Sequence, residues 1–167
     1  MIFSLAKVND VKEIMEIINE AKEYLKENKI DQWQDGYPNE KTILSDIENN
    51  CGFVLVHDHQ VIAYFVLDFR VEKTYNQIYE GSWLNNNNYA TIHRICVRNN
   101  MKGQKVANDI IVFCKNYCKN YLIHDIRIDT HEDNLSMQRM LAKNEFTYCG
   151  IIYVRNNAKR LAYQCQF

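Results

Sequence analysis

Between positions 11 and 25 apolar residues return every three or four places, at Val11, Ile14, Met15, Ile18, Ala21 and Leu25, with lysine and glutamate filling the positions between. That spacing is the turn of an amphipathic helix with one buried stripe, and Asn9 or Asp10 is the residue type expected to cap its start. Residues 2 to 8 read as a short strand before it. Asp31 to Pro38 breaks the pattern with Gly36 and Pro38, and Asn39 is placed to cap a second helix through Ile43, Leu44 and Ile47. Two apolar runs, Phe53 to Val56 and Val61 to Leu67, flank the polar stretch His57-Asp58-His59-Gln60 and predict a hairpin whose second strand is central in a sheet.

No period holds from Phe69 to Asn88, and the four asparagines at 85 to 88 read as a biased loop without core-forming residues. Periodicity resumes as a strand over Tyr89 to Val97, a helix over residues 102 to 121, a strand over Asp125 to Thr130 and a helix over 134 to 144. Two closing strands fall near 146 to 154 and 160 to 166. The order β-α-α-β-β-β-α-β-α-β-β has no repeat and no linker. It predicts a single α/β domain over residues 1–167, with a central mixed β-sheet flanked by about four helices.

Composition narrows the function. The chain has 167 residues, 47% hydrophobic and 25% charged, which suits one globular core. Its 20 basic and 21 acidic residues leave a formal charge of −1, so no global field favours nucleic acid or an anionic membrane, and any anion site must be local. The amino terminus lacks the basic flank and apolar run of a signal peptide, and no stretch reaches the length of a membrane-spanning helix, so the expected location is the cytoplasm. The six cysteines lie mostly within apolar runs, where reduced thiols act as small hydrophobes. Cys114, Cys118 and His124 lack a fourth ligand, so no metal is expected.

The strand over Tyr89 to Val97 runs into Arg98-Asn-Asn-Met-Lys-Gly-Gln-Lys105 and then a helix. A helix amino terminus offers unpaired N–H groups and a positive dipole end to a phosphate; Gly103 permits close approach, and Lys102 and Lys105 add charge. An ordinary turn with a solvated basic face would read the same way. In the strand itself, alternation sets Thr91, His93, Ile95 and Val97 on one face and Ile92, Arg94 and Cys96 on the other. His93 is the candidate general base, because an imidazole titrates near neutral pH; a structural histidine bonded within the sheet is the alternative. His131 or Glu132, at the end of the next strand, is a second candidate.

Together these residues resemble the GCN5-related N-acetyltransferase (GNAT) family. Its pyrophosphate loop, Arg/Gln-x-x-Gly-x-Gly/Ala after a strand ending in valine, is matched by Ile95-Cys96-Val97 followed by Lys102-Gly103-Gln104-Lys105-Val106-Ala107. A later family segment, Asn-x-x-Ala-x-x-x-Tyr-x-Lys-x-Gly-Phe, aligns with Asn134 to Met137 through Lys143 to Phe146, and the likeness covers nearly the whole chain. The likeness is not complete. Lys105 stands at the loop glycine, Lys102 at the frequent arginine or glutamine of the loop start, and Leu141 at the tyrosine that in many members protonates the departing thiolate. Tyr148 and Tyr153 are possible substitutes, although both read mainly as core or pocket residues.

The resemblance implies an enzyme that takes an acetyl or similar acyl group from acetyl-coenzyme A and delivers it directly to a primary amine in a ternary complex. Ile95, Cys96 and Val97 would hold the pantetheine arm through their backbone, residues 102 to 107 the pyrophosphate, and Asn134 and Lys143 further parts of the cofactor. Asn134 could equally cap its helix. Transfer through an acyl-cysteine at Cys96 is the less favoured route, and a homodimer is implied only by the resemblance. Trp33 and Tyr37 would face the acceptor, with Tyr75, Tyr79 and Trp83 as further aromatic walls and Asp35 or Glu80 suited to a cationic amine. The acceptor could be a peptide amino terminus, a lysine, a polyamine, an amino sugar or a small amine. The competing reading is a non-catalytic coenzyme A-binding regulatory module, prompted by Lys105 and Leu141.

Overall fold

The computed structural model describes residues 1–167, and its seven strands form one mixed sheet in the order β1-β2-β3-β4-β5-β7-β6. The strands are β1 Ile2–Leu5, β2 Gly52–His57, β3 Gln60–Asp68, β4 Ala90–Val97, β5 Asp125–Thr130, β6 Thr147–Val154 and β7 Ala158–Gln166. The helices are α1 Val11–Glu27, α2 Glu40–Glu48, α3 Val106–Lys119 and α4 Leu135–Lys143. The chain divides into two compact units, Met1–Leu67 with Arg94–Ile110, and Asp68–His93 with Ile111–Phe167.

In the first unit, the predicted stripe of α1 is buried at Val11, Ile14, Ile18 and Leu25, joined by Ile17, while Met15 and Ala21 lie half-buried against the same cluster. Asp10 occupies the cap position of α1 but makes no side-chain capping bond to that helix. A turn of 3-10 helix over Val8–Asp10 precedes it, and the Asp10 carboxylate instead accepts the Lys7 N–H at 2.8 Å. Helix α2 does start as predicted, with Asn39 Oδ1 accepting from Thr42 N at 3.1 Å. Strands β2 and β3 close through Asp58 and His59, both at positive φ, which matches the twist of a two-residue hairpin. Val61 through Leu67 are all buried, as a central strand requires.

In the second unit β7 lies between β5 and β6, antiparallel to both, with Asp129 opposite Ala162 and Val154 opposite Ala158. The segment with no readable period proves ordered by polar groups. Asp125, 1% exposed, accepts from Asn85 Nδ2 at 2.8 Å, Gln164 Nε2 at 2.8 Å and Asn87 Nδ2 at 3.3 Å. Arg127 donates to Asn85 O at 2.9 Å and stacks over Trp83 and Tyr89 at 4.2 and 3.9 Å. The asparagine run is therefore anchored through side-chain amides, which a hydrophobic pattern does not register. The helix expected from residue 102 begins at Val106, because Gly103 and Lys105 take positive φ, which a right-handed helix does not admit.

Candidate active site

Strand β4 departs from regular pleating at Arg94, which adopts φ +54. Alternation stops there, so counting by twos cannot carry one face from His93 to Ile95 and Val97, as the sequence suggested. The kink is held by charge. Arg94 Nε donates to Asp46 Oδ2 at 3.0 Å, Nη2 to Asp46 Oδ1 at 2.5 Å, and Nη1 to the Tyr37 hydroxyl. Tyr64, fully buried, donates its hydroxyl to the same Asp46 carboxylate at 2.7 Å, and burial followed by that carboxylate drives its ionisation far upward. Tyr37 thus braces β4, and Trp33, at φ +63, packs on the apolar cluster beneath α1. The Cys96 thiol lies within 3.2 Å of Arg94 O, and burial pushes its pKa up to about 12.

The parallel ladder of β4 with β5 joins Ala90 to Ile126 and Thr91 to Arg127. His93 follows it, with 22% of its side chain exposed. Its Nε2 stands 3.5 Å from Glu72 Oε2, an ion-pair distance longer than an ordinary hydrogen bond. Glu72 Oε1 accepts from Thr74 N at 3.0 Å and Thr74 Oγ1 at 2.8 Å. These contacts, the one with His93 largest, hold the Glu72 carboxyl down at about 2 despite partial burial. His93 opens onto a depression of about 330 Å3 lined by Asp68, Arg70, Val71, Glu72 and Lys73. Asp68 is occupied by Arg70 at 2.6 Å. Tyr75, expected as an aromatic wall, is instead 1% exposed, with its hydroxyl donating to Asp129 Oδ1 at 2.6 Å and its ring beside His93.

The loop after β4 is tied to α1. Arg98 donates to Val61 O at 2.7 Å and to Glu16 at 3.1 Å, and the Glu20 carboxylate accepts the Asn99 N–H at 2.7 Å. Gly103 has φ +81 and Lys105 has φ +63, while Lys102 Nζ rests 4.2 Å over the Tyr24 ring. The first helical bond of α3 runs from Asp109 N to Lys105 O at 3.0 Å, so the N–H groups of Val106, Ala107 and Asn108 precede the helical ladder. That is the donor set a pyrophosphate needs, and the space beyond Gly103 is open, with nothing within 4 Å of a Cβ built there. Gln104 Nε2 turns back to Asn100 O at 3.1 Å.

Asn134 caps α4 by accepting from Met137 N at 3.2 Å, and Lys143 lies in the last turn of that helix. Leu141 is wholly buried. Tyr148 and Tyr153, expected in the core or a pocket, are 48% and 41% exposed on β6. His131 Nδ1 is occupied by the Asp133 N–H at 3.1 Å, and Glu132 pairs with Lys159 at 2.9 Å, so both backup bases already have partners. Cys114 and Cys118 are buried within α3. No helix is long and apolar enough to cross a membrane.

Comparison with known proteins bears on this geometry. The model of the acetyltransferase (GNAT) family matches residues 12–146. The chain belongs to the GNAT family. A GNAT-family acetyltransferase from Streptococcus agalactiae 2603 is 35% identical, with 99% of this chain and 95% of that one covered and a TM-score of 0.88. Two solved structures share the GNAT fold at lower identity. PaiA N-acetyltransferase from Thermoplasma acidophilum, in complex with coenzyme A, is 14% identical with both chains wholly covered and a TM-score of 0.72. Ribosomal-protein-alanine N-acetyltransferase from Brucella melitensis is 15% identical, again over the whole of both chains, with a TM-score of 0.72. No curated protein sequence matches. The sheet and helices follow the GNAT plan, and both glycines of the GNAT pattern that this chain lacks fall at left-handed positions, Lys105 at φ +63 and Glu145 at φ +68.

Proposed function

We propose that this chain is an N-acetyltransferase that moves the acetyl group of acetyl-coenzyme A directly to a primary amine, with His93 as general base. One observation carries the reading. His93 is a part-exposed imidazole in an open depression, two residues along β4 from the backbone of Ile95 to Val97. In this reading Ile95, Cys96 and Val97 bear the pantetheine arm, and the N–H groups at the start of α3 hold the pyrophosphate with Lys102 and Lys105. Asn134 and Lys143 contribute further cofactor contacts, and Trp33 and Tyr37 shape the acceptor side.

Acetyl-coenzyme A would supply a thioester, an acyl carbon bonded to a sulfur that leaves readily as a thiolate. The amine nitrogen bonds to that carbon as the carbon–sulfur bond breaks. The amine's proton passes to His93, and the leaving thiolate takes a proton from the imidazolium or from water. Buried Leu141 offers no proton at the usual position, while the modest basicity of a thiolate makes a dedicated donor dispensable. Direct transfer is favoured over an acyl-cysteine because Cys96, with its pKa near 12, stays a thiol at neutral pH.

The test is a calorimetric titration with acetyl-coenzyme A, ATP and NAD, followed by thiol release against polyamine, lysine, amino-terminal peptide and amino-sugar acceptors. Selective binding of acetyl-coenzyme A and N-acetylation of one acceptor class are expected. Binding of a free nucleotide in preference, or coenzyme A binding with no amine acetylated, would contradict the proposal.

A further inference from the structure

Glu72 lies on the segment between β3 and β4 for which the sequence offered no reading, and it has no part in the acyl-transfer scheme above. Its two oxygens are used differently. Oε1 is pinned by both the N–H and the hydroxyl of Thr74, which leaves Oε2 aimed at His93 Nε2 at 3.5 Å. Thr74 is in turn followed by Tyr75, whose buried ring and bond to Asp129 anchor this short turn. A carboxylate fixed in this way can do two things to an imidazole. It selects the tautomer that carries its proton on the facing nitrogen, and it steadies the imidazolium formed when the other nitrogen takes a proton.

We infer that Glu72 is a positioning residue that holds His93 with its proton on Nε2, so that Nδ1 is the atom that accepts the proton of the attacking amine. The inference rests on the reading of His93 as base. When the amine nitrogen bonds to the thioester carbon, its proton moves to Nδ1, the positive charge on the ring is shared with Glu72 Oε2, and the same proton later returns to the thiolate or to water. Of the other charged groups around the ring, the Asp68 carboxylate also interacts electrostatically with His93 but is bonded through both oxygens to Arg70, and Arg70 and Lys73 are cations that would oppose an imidazolium.

The test replaces the charge and keeps the shape. Glu72→Gln should lower kcat about tenfold with little change in the KM for acetyl-coenzyme A. Glu72→Asp should recover part of the loss. An unchanged kcat in Glu72→Gln, alongside a His93→Ala variant that loses about a hundredfold or more, would overturn this inference alone; full activity in His93→Ala would instead overturn the base reading. A measurement that needs no substitution guards against a variant that fails to fold. In 15N-histidine-labelled wild-type protein at alkaline pH, His93 should show the Nε2–H tautomer, and the Nδ1–H tautomer would refute the inference.

Discussion

Lys105 and Glu145 hold left-handed backbone conformations that ordinary residues adopt at a cost of about 1 kcal/mol or more. Glu145 sits just beyond α4, where Phe146 N–H reaches back to Leu141 O at 3.1 Å, the bond of a helix end that favours glycine. The chain has only five glycines, yet twelve other residues lie at positive φ, so the scarcity of glycine in the loop changes the side chains and leaves the backbone course intact. Lys105→Gly and Glu145→Gly should each raise stability by about 0.5–1 kcal/mol in denaturant unfolding. Lys105→Gly should weaken coenzyme A binding only a few-fold in calorimetry, because it removes one of the two lysine charges but leaves the N–H groups at the start of α3 unchanged. Cys96→Ala should likewise retain most acetyl transfer in a thiol-release assay, since a thiol with its pKa raised to about 12 is not the nucleophile. A loss of a hundredfold or more would restore the acyl-cysteine route.

The element that most shapes the site is β4, and its kink rests on a buried ion pair. Asp46 is 5% exposed and serves both Arg94 and Tyr64. Asp46→Ala leaves that guanidinium buried without its counter-charge, which should cost about 3–5 kcal/mol in chemical denaturation. Asn85→Ala, which removes one donor from buried Asp125, should cost about 1–3 kcal/mol. Helix α1, the β2–β3 hairpin and β5 were legible in the sequence because each buries a regular apolar face. The segment from Phe69 to Asn88 was not, since its order comes from the amides of Asn85 and Asn87, from Arg127 between Trp83 and Tyr89, and from a single buried tyrosine. His93 could be picked out by residue type and place in its strand. Its partner Glu72 could not, because their meeting depends on a turn that leaves no periodic trace, and nothing in the alternation of β4 announces a left-handed Arg94.

At the scale of the whole molecule, a few strongly shifted groups bound the pH range of stability. Glu72 has its folded pKa held at about 2 against an ordinary 4.5, so its contribution is present above pH 4.5 and is lost as pH falls toward 2. Cys96 and Cys118 have theirs raised by burial to about 12 from an ordinary 9, so theirs is present below pH 9 and is lost as pH rises toward 12. Thermal unfolding followed across pH should therefore show a plateau between about 4.5 and 9 that falls on both sides; a protein whose Tm held steady from pH 4.5 down to 2 would contradict the role given to Glu72. The most direct measurement is the turnover of His93→Ala with acetyl-coenzyme A and the acetylated amine, alongside its affinity for acetyl-coenzyme A. A fall in kcat of about a hundredfold or more with affinity retained is the predicted result, and wild-type turnover with an unchanged pH profile would contradict the account.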